Sequence, residues 1–390
     1  MTTNAAMGRL EGLKKTGVML GLAGIAGCVV GIATNREGFF QSYLIGFSFW
    51  AILTMGFIGL AMLQHTVRAS WLTPIERMIE AGAFCLPILI VSWAVLLAGL
   101  PMMYEWAVPE KLNANPYIKH KEPFLNQGAF IGGSLLYFAI IAFFLAMTRG
   151  LADKYDATGD PKWRQKRIQL GAISLVPVVL AITFASFHWM MSLDADWFST
   201  MYGVIVLVSG ALGALGLCYF LLGRYSHLEP FNQFVDKKRM RDLGNFILAL
   251  SIFWSYVSFS QYLIIYAGNL PEEVGYFLRR QDRGWYAIGT ALMIAQFAIP
   301  MLLLMPNPIK KNPRSLGWVG LWIFFVRLLE TYWLIAGSSS IGRDLGVHWM
   351  DFAALLGIGG IWMAMFANNL QKRPLMPAPE TPVKEALEHA

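Results

Sequence analysis

Ten apolar segments of about 20 residues, separated by short polar loops, decide what this chain can fold into. They run over 16–34, 43–64, 81–100, 127–148, 168–187, 198–222, 244–267, 285–304, 317–336 and 349–368. Twenty residues at about 1.5 Å each cross a hydrocarbon core of about 30 Å. Lipid offers the backbone no hydrogen-bond partner, so only helices and closed barrels span it. None of the ten segments alternates as a barrel strand does. The expected fold is an all-α integral membrane protein with ten transmembrane helices. Composition agrees, because 56% of the 390 residues are hydrophobic and only 14% are charged, against about 25% charged in soluble domains. Residues 1–373 form the membrane domain. Residues 374–390, rich in Pro, Glu and Ala, read as a flexible tail.

The first segment carries an ambiguity. Lys14 and Lys15 precede Ile25-Ala26-Gly27-Cys28, which resembles a lipoprotein cleavage box. The apolar run continues past Cys28 to Ile32, so it is read as a helix.

The net charge of +7 is no nucleic-acid signal, because Lys and Arg sit in short loops between spans. There they set orientation. Twenty-two lie on the side of the N-terminus, eight on the opposite side, and Arg327 within a span. Both termini are therefore expected in the cytoplasm. The loop at 150–166 is the most basic inner loop, and 188–197 has no Lys or Arg. The long outer loop 101–126, with Trp106, Pro109, Pro116 and His120, is expected to form a small cap.

Redox centres find little to hold them. Cys28, Cys85 and Cys218 are scattered through apolar spans, with no CxxC, iron–sulfur run or covalent haem motif. His65, His120, His188, His227, His348 and His389 fall at span ends, in loops or in the tail. Only His188 and His348, on one side, could pair as haem ligands. No metal site, covalently bound cofactor or catalytic residue is assigned.

Charged residues inside a span must face the protein, since each costs about 2.5–3.5 kcal/mol at the bilayer centre. Arg327 and Glu330 in FFVRLLETYW share a helix face. They read either as a structural ion pair or as a mid-membrane proton-carrying or quinone-facing Glu330 tuned by Arg327. Thr331 could extend the hydrogen-bonded chain. A polar stripe of Ser251, Ser255, Ser258, Tyr262 and Tyr266 runs up the seventh span at helical spacing. It reads as a close helix contact or as a cavity wall. Gln261 and Gln296 are stronger hints, because amides are costly against lipid. Ser258, Gln261, Tyr262 and Gln296 could line one polar, quinone-facing cavity with Glu330. On the outer side, His188, Asp194 and Asp196 in HWMMSLDADW, with His348 and Asp351 in HWMDF, read as the exit of a proton path. The alternative is a polar loop anchored at the interface by Trp189, Trp197 and Trp349.

Three stretches together resemble a known family: HKEPFLNQ (120–127), HWMMSLDADWFSTMYG (188–203) and SFSQYLIIYAGNLPEE (258–273). They are similar to the second large membrane subunit of alternative complex III, a bacterial quinol:electron-acceptor oxidoreductase. That subunit is of the polysulfide-reductase-like, NrfD-type family. The resemblance covers roughly 40–370. It implies two four-helix bundles plus flanking helices, a place in the bacterial inner membrane, and a sibling NrfD-like membrane subunit. It further implies an iron–sulfur subunit and multi-haem cytochrome c subunits as partners, with lipids and a quinone of either common type nearby. The sibling would be the better candidate for the quinol site, and this chain would carry no redox centre. Two other readings stand beside it: a purely structural membrane anchor, and a secondary transporter. A transporter expects broken helices in matched halves, and Pro177 interrupts the fifth span with no counterpart.

Overall fold

The computed structural model describes residues 3–67, 70–281 and 284–376. Among them there is no strand. Ten helices are long and apolar enough to cross a membrane: α1 (Ala5–Thr34), α2 (Arg36–Thr66), α3 (Trp71–Met103), α4 (Gln127–Thr158), α5 (Pro161–Leu193), α6 (Tyr202–Tyr225), α7 (Lys237–Gly268), α8 (Trp285–Leu304), α9 (Pro313–Ala336) and α10 (Trp349–Gln371). The chain is an all-α multi-pass membrane protein, with every expected segment present. Residues 377–390 of the expected tail, with His389, lie outside the described residues. The face where α1 begins and α10 ends is here called the terminal face; the other is the distal face.

α2 is the axis of the fold. Nearly every side chain from Phe39 to Gln64 is buried, against α3, α5, α6, α9 and α10. Helices α2 to α5 form one four-helix group, closed between α3 and α4 by Trp93 against Phe130 and Phe138. Helices α6 to α9 form the second. α10 lies on α2 and carries α1. The two bundles meet where α2 crosses α6, and there the backbones touch. A Cβ added at Gly210 would stand 2.2 Å from the Ile52 carbonyl oxygen. The α1–α10 seam is as close, since a Cβ at Gly24 would lie 2.1 Å from the Gly357 nitrogen. Between helices in lipid there is little hydrophobic drive, so close backbone packing supplies the attraction.

Several boundaries differ from expectation. α4 and α5 run through the basic 150–166 stretch and turn only at Gly159 (φ 65) and the N-cap Asp160. A polar helical extension and a polar loop have the same hydropathy. α3 begins with a 3₁₀ turn and the helix Glu76–Ala83, then steps at Phe84–Cys85 before Pro87. Pro177 does not interrupt α5, which is continuous from Pro161 to Trp189. α8 instead contains a π-helical turn, Ile294–Ala298, just ahead of Pro300, a residue that removes one intrahelical bond. The 101–126 loop does form a cap, with short helices Pro109–Ala114 and Pro116–His120 over the buried Trp106.

Candidate functional site

Arg327 and Glu330 are one turn apart on α9 and buried, at 2% and 3% exposure. Arg327 Nη1 donates to Glu330 Oε2 at 2.6 Å. Two further donors come from other helices: Ser209 Oγ of α6 to Oε2 at 2.6 Å and Trp254 Nε1 of α7 to Oε1 at 2.6 Å. The guanidinium also lies 4.6 Å from the Trp254 ring centroid. Arg327 Nε and Nη2 have no partner among the described residues. Thr331 bonds back to the Arg327 carbonyl and does not extend the chain. Glu330 stands six residues, about 9 Å, below the distal end of α9. It belongs to the distal third of the span, not its middle.

Glu330 forms part of the wall of a cavity of about 360 Å³ between α7, α8 and α9. α7 packs on α8 mainly through the half of α8 nearer the terminal face. On the distal side the wedge between them is lined by Trp254, Phe259, Tyr262, Trp285, Tyr286 and Trp333. Phe259, Tyr262 and Tyr286 are exposed on the outside of the protein, so the cavity opens sideways toward the lipid position. Its distal end is closed by Tyr276 and Arg280, from the short helix Pro271–Arg279 and the turn after it. Large aromatic walls around a few fixed polar groups are the usual make-up of a small-molecule site.

Of the expected cavity residues, Ser258, Gln261 and Tyr262 line it with Glu330, and Gln296 does not. Gln296 is buried in the π turn and donates to Ser251 Oγ at 3.3 Å. The polar stripe of α7 is not one environment. Ser251 and Ser255 are buried, whereas Tyr262 and Tyr266 are exposed and stack at 5.9 Å.

The outer residues do not form one cluster. Asp194 accepts from Arg279 Nη2 and Arg280 Nη2, both at 3.1 Å, and from the Ser339 backbone N–H at 2.8 Å. Asp196 accepts from Arg279 at 3.2 Å. The two aspartates expected at the exit of a proton path are therefore neutralised by arginines more than 80 residues away. His188 belongs to the first bundle, bonded to Tyr137 OH at 3.1 Å and the Phe124 carbonyl at 3.2 Å. His348 caps α10, while Asp351 pairs with Arg343 at 2.8 Å and with the His348 N–H. The two histidines are engaged separately and do not pair. Trp189 and Trp197 are core residues at 0% and 2% exposure; only Trp349 is exposed as an interfacial anchor would be.

The three stretches singled out in the sequence meet on the distal face. Lys121 Nζ donates to the carbonyls of Ala195 (2.8 Å) and Trp197 (3.1 Å). Ser199 Oγ donates to Gln261 Oε1 at 2.8 Å. The sequence reading missed three features: Arg280, the phenols Tyr202 and Tyr276, and a second ionic network near the terminal face. In that network Glu80 accepts from Arg77 (2.8 Å), Arg373 (3.0 Å) and Arg167. Asp156 accepts from Arg77 and Arg373, and His65 meets Arg167 at 3.1 Å. It ties α2, α3, α4 and α5 to Arg373, two residues beyond the end of α10. Arg77 and Glu80 are three apart, the same signal that Arg327 and Glu330 gave. Compared with known proteins, the chain matches no family model and no curated protein.

Proposed function

We propose that this chain is a membrane subunit of a quinol:electron-acceptor oxidoreductase of the alternative complex III type. In this reading the α7–α8–α9 cavity takes the ring of a quinone. The observation that carries it is spatial. Three stretches far apart in sequence, which together resemble one family, are hydrogen-bonded to one another, and the third supplies Ser258, Gln261 and Tyr262 to the cavity wall. The cavity suits such a ring: aromatic walls, a lateral mouth for a lipophilic tail, and the Glu330 carboxylate inside. Arginine and lysine placement supports termini on the cytoplasmic side, and the family resemblance implies a bacterial inner membrane. The cavity then lies in the outer leaflet. Redox centres belong to the partners: a sibling NrfD-like subunit, an iron–sulfur subunit and multi-haem cytochromes c. Asp194, held by Arg280 beside the cavity, offers an outer end for a proton route from Glu330.

A second reading has its own support. Glu330 is held by three donors, as a purely structural pair would be, in a subunit that only anchors its partners. Mild-detergent purification from native membranes tests the assignment. Co-purification of haem c and an iron–sulfur protein is expected, and isolation of the chain alone refutes it. Within the complex, Glu330→Gln separates the two readings. Loss of quinol turnover or of the proton-to-electron ratio supports a role for the cavity, and unchanged values leave the anchor.

A further inference from the structure

Two phenols at the distal end of the cavity stand out by what they lack. Tyr276 and Tyr202 line the cavity, and their residues are only 2% and 3% exposed. Neither phenol oxygen is hydrogen-bonded within the described residues, and neither is sealed in by protein, so both open into the cavity. Ser258 Oγ and Arg280 Nε on the same wall also lack a partner, but the remaining buried polar groups there are taken. Glu330 has three donors, Trp254 Nε1 donates to Glu330, Trp285 Nε1 to the Arg343 carbonyl, and Trp333 Nε1 to the Trp285 carbonyl. Arg280 is committed to Asp194 and to the carbonyls of Tyr276 and Leu334. A hydroxyl facing an apolar space without a partner is costly, and it is recovered when a ligand oxygen arrives.

The phenols are also held in place. The Tyr276 ring lies between Trp197, stacked at 4.0 Å and 19°, and the Arg280 guanidinium, 3.7 Å from its centroid. Asp194 fixes that guanidinium in turn. Tyr202 meets Trp197 edge-on at 6.2 Å. A rigid donor loses little freedom on binding, which is what preorganised recognition requires.

We propose that Tyr276 and Tyr202 hold the ligand's ring oxygen at the distal end of the cavity, opposite Glu330. This rests on the reading that the cavity takes a quinone-class ring. A phenol O–H donates to a quinone carbonyl, and its oxygen accepts from a quinol hydroxyl, so one pair serves both redox forms. Tyr276 and Tyr202 then discriminate for rings with oxygens at both ends and against hydrocarbons that merely fit.

The test uses the full-length protein and its Tyr276→Phe and Tyr202→Phe variants, which keep the ring packing and remove one hydroxyl each. A short-chain ubiquinone or menaquinone is titrated, and quenching of the cavity tryptophans is read. Infrared spectra of the quinone labelled with ¹³C at one carbonyl or the other are recorded on the same samples. Each variant is expected to bind about threefold to tenfold more weakly, the worth of one neutral hydrogen bond. One labelled carbonyl band should shift while the other stays. Wild-type affinity with both bands unmoved in the variants overturns the assignment and leaves the cavity's ligand class standing. Absence of quinone binding by the wild-type protein overturns the ligand class and this inference with it.

Discussion

The Arg327–Glu330 pair makes an asymmetric prediction. Glu330→Gln leaves a guanidinium at 2% exposure facing no anion, and a guanidinium cannot shed its proton. Breaking a buried pair in this way costs about 3–5 kcal/mol. Arg327→Met should cost less. The Glu330 carboxyl keeps Ser209 and Trp254 as donors at 2.6 Å each, so about 1–3 kcal/mol is expected. The double variant removes both charges. Its Gln carbonyl still accepts from Trp254 and its amide can donate to Ser209, so it should lie within about 1–2 kcal/mol of wild type. The cycle therefore closes with a coupling of at least about 2 kcal/mol. Reversible unfolding in lipid–detergent bicelles, followed by tryptophan fluorescence, measures all four proteins. Additivity within about 0.5 kcal/mol, or Arg327→Met costing more than Glu330→Gln, would refute this account of the pair.

Gly210→Ala drives a Cβ to 2.2 Å from the Ile52 carbonyl and should destabilise by about 1–3 kcal/mol. Gly132→Ala, with nothing within 4 Å, should be neutral or gain up to about 1 kcal/mol from helix propensity; thermal unfolding of both checks the contrast. Asp194→Asn leaves Arg280 buried without an anion and should cost about 3–5 kcal/mol. Asp196→Asn, at a side chain 40% exposed, should cost under about 1 kcal/mol in the same unfolding assay. Burial pushes the Tyr276 phenol up to about 12. A raised value keeps it neutral and a donor, so the affinity ratio between wild type and Tyr276→Phe should stay constant from about pH 6 to 9; a fall in the ratio across that range, read by tryptophan quenching, contradicts it.

What the sequence reveals here depends on whether lipid or another helix selects the residue. Lipid demands a continuous apolar run, and all ten spans are readable from that demand alone. It also makes any charge inside a span conspicuous, and Arg327 and Glu330 are three apart, so their contact is local and legible. Their other partners are not. Ser209 lies 121 residues from Glu330 and Trp254 lies 76 away, and a serine or tryptophan in a membrane helix has many reasons to be there. Residues outside the lipid follow no such rule. Lys154, Lys162 and Lys166 continue a helix or form a loop at the same hydropathy, so the ends of α4 and α5 were hidden. The same holds for Asp194, whose charge is countered by Arg279 and Arg280, at the end of the short helix between α7 and α8. The phenols were hardest to see, since tyrosines at a span's end ordinarily mark the membrane interface. Tyr202 and Tyr276 are buried residues on the cavity wall whose phenol oxygens have no hydrogen bond among the described residues. That property belongs to the assembled cavity: α6 brings Tyr202, the helix before α8 brings Tyr276, and α9 brings the carboxylate that lines the same cavity.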